Sequence, residues 1–196
     1  DRTFYDCVIR LKNAYQELYP QYPLKGRFVA AKTVYNSYEI KRECLLLFSG
    51  GIDAHVSYLR NREYKPVLCN IQGWYDDPDK TKIAAANADY KDIKAFARKE
   101  DVKFEYVKSN FATLVNNYEF KKNIQTKLGD SWWHGFQHSM SFISIAMPLA
   151  YIYGAKNIYI ASSFAIGNPG KCASYATTDI EFKFATDGGC IHDAFD

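Results

Sequence analysis

Between Leu45 and Leu59 the chain reads LLLFSGGIDAHVSYL. Ser49, Gly50, Gly51 and Asp53 are the residues in it whose types and spacing bear on chemistry. An apolar run that ends in Ser-Gly-Gly and continues into a helical pattern puts two glycines and two polar side chains at the exit of a buried strand. Glycine at 50 and 51 permits backbone angles and a close approach that a side chain would prevent. Consecutive N–H groups then face a concavity, and the following helix adds the positive end of its dipole, an arrangement suited to phosphate. Ser49 supplies a hydroxyl donor, and Asp53 a carboxylate able to hold a divalent cation. The pattern is not a Walker loop, since it lacks the long glycine spacing and the Lys-Ser/Thr ending.

Other polar residues stand out by position. His138 lies in WWHGFQHS, polar groups among aromatics before a long apolar helix; His55 follows the loop and is expected on the exposed face of its helix. Trp132, Trp133 and Phe136 are expected in core or staple positions. The segment 162–182, SSFAIGNPGKCASYATTDIEF, is too polar and rich in glycine and proline for core, and a loop this long is commonly functional. Within it Lys171 is a candidate for phosphate and Asp179 for a metal or a substrate amine, with a solvated loop the equal alternative. Asp76, Asp77 and Asp79 around Pro78 suit a turn and a helix cap, with metal binding the lesser alternative.

The elements that must position these residues follow from periodicity. FYDCVIRLKNAYQELY has helical spacing and stops at Pro20, while GRFVAAKTVYNSYEIK, rich in β-branched and aromatic residues, predicts a strand or hairpin. Residues 1–42 are therefore read as an N-terminal extension, and 43–196 as the ligand-binding domain, expected to be cut short at its C-terminal end. From residue 43 strands and helices alternate: CLLLF, DAHVSYLRNR, PVLCNI, TKIAAANADYKDIKAFARKE, KFEYVK, a long helix from Trp133 to Tyr153 closed by Gly154, and NIYIA. That alternation predicts an α/β fold with a parallel sheet covered by helices on both faces. Such sheets bind ligands beyond the C-terminal strand ends. Ser49–Asp53, Gln72–Trp74 and Ser162–Ser163 all fall at such ends.

SGG-x-D between a strand and a helix resembles the PP-loop of the N-type ATP pyrophosphatases. The resemblance covers about residues 43–165. It implies a Rossmann-like parallel sheet ordered 3-2-1-4-5, with ATP and Mg²⁺ as cofactors and Asp53 on the metal. An adenylate-forming reaction is implied: a substrate oxygen attacks the α-phosphate, pyrophosphate leaves, and a nitrogen or sulfur nucleophile displaces AMP. Phosphates would be held by Ser49, Gly50, Gly51, Ile52, Asp53 and Ala54, and adenine by backbone near Phe48, Ile71, Gln72 and Gly73. Ser49 and Asp53 would carry catalysis. FISIAMPLAYIYGAKNIYIASS is similar to the corresponding helix and strand of 7-cyano-7-deazaguanine synthase-like proteins. On this account Gln137, His138, Ser162, Ser163, Lys171 and Asp179, taken from their positions in the chain, would shape a pocket for a carboxylate or amide acceptor. Ala54 stands where the family pattern has serine, Gln137-His138 where the synthase has Arg-Asn, and the synthase's zinc-binding cysteine cluster is absent from 1–196.

Composition narrows the alternatives. A length of 196 residues suits one domain with a sizeable core. A formal charge of +3 is too small to argue for nucleic acid, and the charges are mixed along the helices, which disfavours a tRNA-modifying enzyme of the same fold. No apolar run approaches the roughly 20 residues needed to span a bilayer. Five scattered cysteines, with no Cys-x-x-Cys pair, suit reduced thiols in a cytoplasmic protein and predict no zinc within 1–196. A nucleotide-binding or sensor module without turnover is the principal alternative to an enzyme, and self-association is left open.

Overall fold

In the computed structural model, residues 1–72, 80–131, 133–162, 176–184 and 188–194 are described. Helix α1 (Arg2–Leu18) begins at Asp1, whose carboxylate accepts from the Phe4 backbone N–H at 2.7 Å, an N-cap that satisfies one orphan donor of the first turn. Then come β1 (Arg42–Leu47), α2 (Ile52–Asn61), β2 (Val67–Gln72), α3 (Lys80–Lys99) and β3 (Phe104–Lys108). Short turns α4 (Asn117–Phe120) and α5 (Thr126–Leu128) flank a π-helical turn at Lys121–Gln125. A second π turn, Trp133–Gln137, runs into α6 (His138–Tyr153), so the long apolar segment is two stretches of different pitch. The remaining elements are β4 (Ala155–Ser162), α7 (Ala176–Asp179), β5 (Lys183–Phe184) and β6 (Gly188–Ala194).

The sheet has the order β3-β2-β1-β4-β6-β5. Its first five strands are mutually parallel, and β6 is the fifth parallel strand; the two-residue β5 joins it antiparallel at the edge. This is the Rossmann-like α/β arrangement with the 3-2-1-4-5 order. Leu45 sits between Val67 on one side and Ile158 on the other, all three buried. Successive side chains of β1 point to opposite faces. Leu45 packs with Cys7, Leu11, Ile143 and Ala146 on the α1/α6 face, and Leu46 with Tyr58, Leu68, Ile93 and Ala97 on the α2/α3 face. Both faces being covered explains why Cys44–Leu47 of β1 and most of β2 are apolar. Each such side chain contributes about 1.5–3 kcal/mol by leaving water.

Gly154 closes α6 in the left-handed region, φ 61°, as expected of its position. Residues 26–41 form no strand or hairpin, contrary to their composition. A strand needs a neighbour to pair with in a ladder, and here single bonds tie the backbone to the start of α1, from Arg2 N–H to the Val34 carbonyl and from Asn36 N–H to Asp1 Oδ2. The segment instead crosses the surface, with Val29 80% and Tyr35 74% exposed, tied down by bonds such as Tyr38 Oη to the Ala155 carbonyl at 2.5 Å. Among the described residues, no helix is long and apolar enough to cross a membrane.

Candidate functional site

The chain leaves β1 at the middle of the sheet. β2 and β3 build outward on one side and β4 and β6 on the other, so the C-terminal end of β1 is where strand order reverses. A pocket of about 360 Å³ opens there. From the turn, Phe48, Ser49, Asp53 and Ala54 line it; β2 adds Ile71 and Gln72; His138 comes from α6. The structure therefore brings seven sequence-derived candidates together. Gly50 and Gly51 complete the turn between them.

The turn has the geometry that its glycines permit. Gly50 has φ +83°, and a Cβ there would come within 3.3 Å of Ile93 Cγ1. Gly51 is the N-cap of α2, and its N–H donates to Ser49 Oγ at 3.2 Å. Among the described residues no side chain caps α2, and its first-turn N–H groups stand at the helix's positive end. Asp53 lies in that first turn. Ile52 is 83% exposed and Ala54 only 3%, so Ala54 faces the sheet. His55 packs edge-on against Phe48 and Phe96, with ring centroids 4.9 Å from each, and its Nδ1 lies 3.0 Å from the Gly51 carbonyl.

Helix α2 is fixed by a polar anchor. Ser57 donates to Asp193 Oδ2 at 2.5 Å, Asn61 Nδ2 to the same oxygen at 3.2 Å, and Arg60 pairs with Oδ1 at 3.2 Å. One carboxylate on β6, 9% exposed, thus holds the helix whose N-terminus faces the pocket.

Sequence reasoning missed Cys69, Asn70, Asp89 and Phe142 in the pocket wall. Asn70, 2% exposed, donates Nδ2 to the Phe48 carbonyl at 2.9 Å; its Oδ1 and Gln72 Oε1 are buried oxygens without a hydrogen-bond partner among the described residues. A lone amide inside the apolar run PVLCNI was the signal for Asn70. Asp89 sits one turn before Ile93 and two before Ala97, the face of α3 that meets the sheet. Burial pushes the Cys69 thiol from 9.0 up to about 12, with the Glu105 carboxylate adding to it. It is protonated at neutral pH and no nucleophile. Among the described residues no lysine or arginine lines the pocket; its carboxylates are Asp53 and Asp89.

Other candidates lie elsewhere. Gln137 is 4% exposed and donates Nε2 to the Phe111 carbonyl at 3.0 Å, so its amide is used within the fold. Ser162 is 6% exposed at the end of β4, opposite Ala194, and the β4 contribution to the pocket is Ile160 and Ala161. Asp179 ends the short helix α7, fully buried, with Oδ2 2.8 Å from His192 Nδ1. It is not among the residues lining the pocket. Phe136 stacks near Tyr15 and Tyr19, whereas Trp133 and Phe142 hold the His138 ring edge-on at 5.0 and 5.1 Å. Gly73, Trp132, Ser163, Lys171 and the acidic cluster at 76–79 lie outside the described residues. The described cysteines, Cys7, Cys44, Cys69 and Cys190, are buried free thiols.

Neither the protein-family models nor the curated proteins compared with this chain match it.

Proposed function

We propose that the pocket at the end of β1 binds ATP with Mg²⁺ and that the protein forms adenylates. One observation carries the reading: Ser49-Gly50-Gly51 turns directly from the central strand into the N-terminus of α2, with Gly50 at φ +83°, beside a pocket of about 360 Å³. Backbone N–H groups and a helix dipole are what a pyrophosphate needs, and a side chain on either glycine would crowd the turn. The donor set also suits Mg²⁺, which is typically held by one or two carboxylates together with substrate phosphates. Asp53 would hold it, and the ion would offset the charge of the phosphates in a pocket wall that has no cationic side chain among the described residues.

In the proposed reaction a carboxylate oxygen of the acceptor attacks the α-phosphorus and the bond to pyrophosphate breaks. The mixed anhydride then loses AMP to ammonia or an amine. Ser49 and the α2 N–H groups would hold the departing pyrophosphate, and His138, gripped between Trp133 and Phe142, would border the acceptor. The chain's share of catalysis is positioning and charge stabilisation. Carboxylate-dependent exchange of labelled pyrophosphate into ATP, run over a panel of small carboxylates, tests it; absence of exchange together with no ATP-induced rise in melting temperature rejects it.

A nucleotide-binding module without turnover is the second reading. Ala54, buried where the resemblance expects a phosphate-binding hydroxyl, and Gln137, whose amide is spent on Phe111, favour it. Its outcome in the same experiment is a melting-temperature rise with no exchange.

A further inference from the structure

A second concavity, of about 790 Å³, opens between α1, residues 22–28 and α6, and shares no lining residue with the pocket at Ser49. Phe4, Val8 and Leu11 line it from α1, at the spacing that stacks side chains along one helix face. Leu24 and Phe28 form the facing wall, and Met140 and Ser144 of α6 the floor. Phe28 lies against the rings of Phe4 and Tyr5, at centroid distances of 6.2 and 5.8 Å. Phe28 itself remains 49% exposed. Apolar surface in such a concavity, of ordinary small-ligand size, marks a binding groove.

Its charged groups are of one sign. Among the described residues, Lys12, Lys25 and Arg27 line the groove, all exposed, and no carboxylate does. None of the three enters an ion pair among the described residues, whereas Arg10 on the same helix is paired with Glu181 at 2.8 Å. A symmetric pairing of two copies through this face would set these cations against each other. An amphiphilic anion is complementary to both halves of the groove.

We propose that this groove binds a single-chain aliphatic carboxylate, the chain lying between α1 and residues 22–28 and the carboxylate meeting Lys12, Lys25 and Arg27. The proposal is independent of the nucleotide reading. Burial of each methylene then tightens binding about fourfold.

Isothermal titration of the full chain with octanoate, decanoate and dodecanoate, each below its micelle concentration, tests it. Affinity rises about sixteenfold per two carbons; dodecanol binds at least tenfold more weakly than dodecanoate, and dodecyltrimethylammonium not measurably. The double variant Lys25→Gln/Arg27→Gln loses at least tenfold in dodecanoate affinity at an unchanged melting temperature. Ser144→Trp fills the floor and abolishes binding. Gly26→Trp, at a position where an added Cβ meets nothing within 4 Å, repeats that test should Ser144→Trp not fold. Equal binding of the cationic amphiphile, no chain-length dependence, or undiminished binding by a folded groove-filling variant overturns the proposal. So does a dimer in sedimentation that Ser144→Trp or Gly26→Trp converts to monomer, since a second copy would then be the occupant.

Discussion

The side-chain amide of Asn70 donates to the backbone carbonyl of Phe48 at 2.9 Å, from one strand to the last residue before the Ser-Gly-Gly turn. Phe48 also donates its N–H to the Cys69 carbonyl at 2.8 Å, so β2 holds Phe48 through both of its backbone groups. Parallel pairing alone would have served the N–H. The amide adds a second restraint where the chain must leave the sheet at a fixed angle.

Asn70→Ala removes that donor and leaves a carbonyl beside the buried Phe48 without it. An unmet buried polar group costs about 1–3 kcal/mol. Urea unfolding should show a loss of that size with an unchanged m-value. Because the turn is then less constrained, the ATP-induced rise in melting temperature should shrink by more than the stability loss alone explains. An equal ATP response in Asn70→Ala and wild type would mean that the amide serves the sheet only.

Two glycines with positive φ separate folding from binding. Gly154, φ 61°, caps α6, and a Cβ on it would lie 2.5 Å from the backbone oxygen of Glu39; Gly50, φ 83°, would meet only the Ile93 side chain at 3.3 Å. Backbone cannot yield as a side-chain tip can, so Gly154→Ala should be the costlier change, by more than the roughly 1 kcal/mol of the dihedral penalty alone. Its effect on ligand should be nil once stability is allowed for. Gly50→Ala should cost about 1–2 kcal/mol and weaken ATP at least tenfold, because it reshapes the turn. Thermal melts of both variants with and without Mg·ATP make the comparison.

The particular residues show what the sequence could and could not convey. Ser49-Gly-Gly fell at the end of β1 as read, because a both-faces-buried strand and a helix start are local patterns. So was Gly154 at the end of α6. The strand expected within 26–41 did not form: its backbone makes single bonds to the start of α1 and no ladder, and pairing is not a property of the segment alone. Asp179 has loop-like neighbours in sequence, yet its carboxylate is buried against His192, a contact made only when β6 is laid beside β4. Asp89 needed the rotation of α3 about Ile93 to be known. Contacts set by tertiary placement, not by period or turn chemistry, are the ones that were not legible.

The buried thiols give the protein an alkaline limit. Burial raises Cys69 and Cys44 from 9.0 to about 12, and Tyr58, also buried and hydrogen-bonded to Glu100, from 10.0 to about 12. Above pH 9 an unfolded chain releases these thiol protons while the folded one keeps them, so unfolding is favoured as pH rises. Their contribution is whole below about pH 9 and is lost progressively towards pH 12. Urea midpoints should be flat from pH 7 to 8.5 and fall beyond it, and Cys69→Ala should flatten part of the fall. Iodoacetamide at pH 8 should label Cys69 only in urea; rapid labelling of the native protein would show the thiol to be accessible.

Asp53 and its neighbour Ala54 separate a catalyst from a binder. Asp53 is in the first turn of α2, exposed, at the edge of the pocket, and contributes little to the core. Asp53→Ala should therefore leave the unfolding free energy from urea titration within about 0.5 kcal/mol of wild type, as for surface changes in general. If Asp53 holds the cation on the phosphates, its loss removes a charged contact to the reacting group, and pyrophosphate exchange should fall about a hundredfold or more. Ala54→Ser adds at most one hydrogen bond, about 1 kcal/mol, but at a position 3% exposed, where the hydroxyl needs a partner. With phosphate as that partner, Ala54→Ser should be slightly destabilised alone and restored by ATP. A pure binder behaves differently: Asp53→Ala weakens Mg·ATP in thermal melts, and neither variant nor wild type exchanges pyrophosphate. Exchange by wild type that survives Asp53→Ala intact would detach the chemistry from this turn.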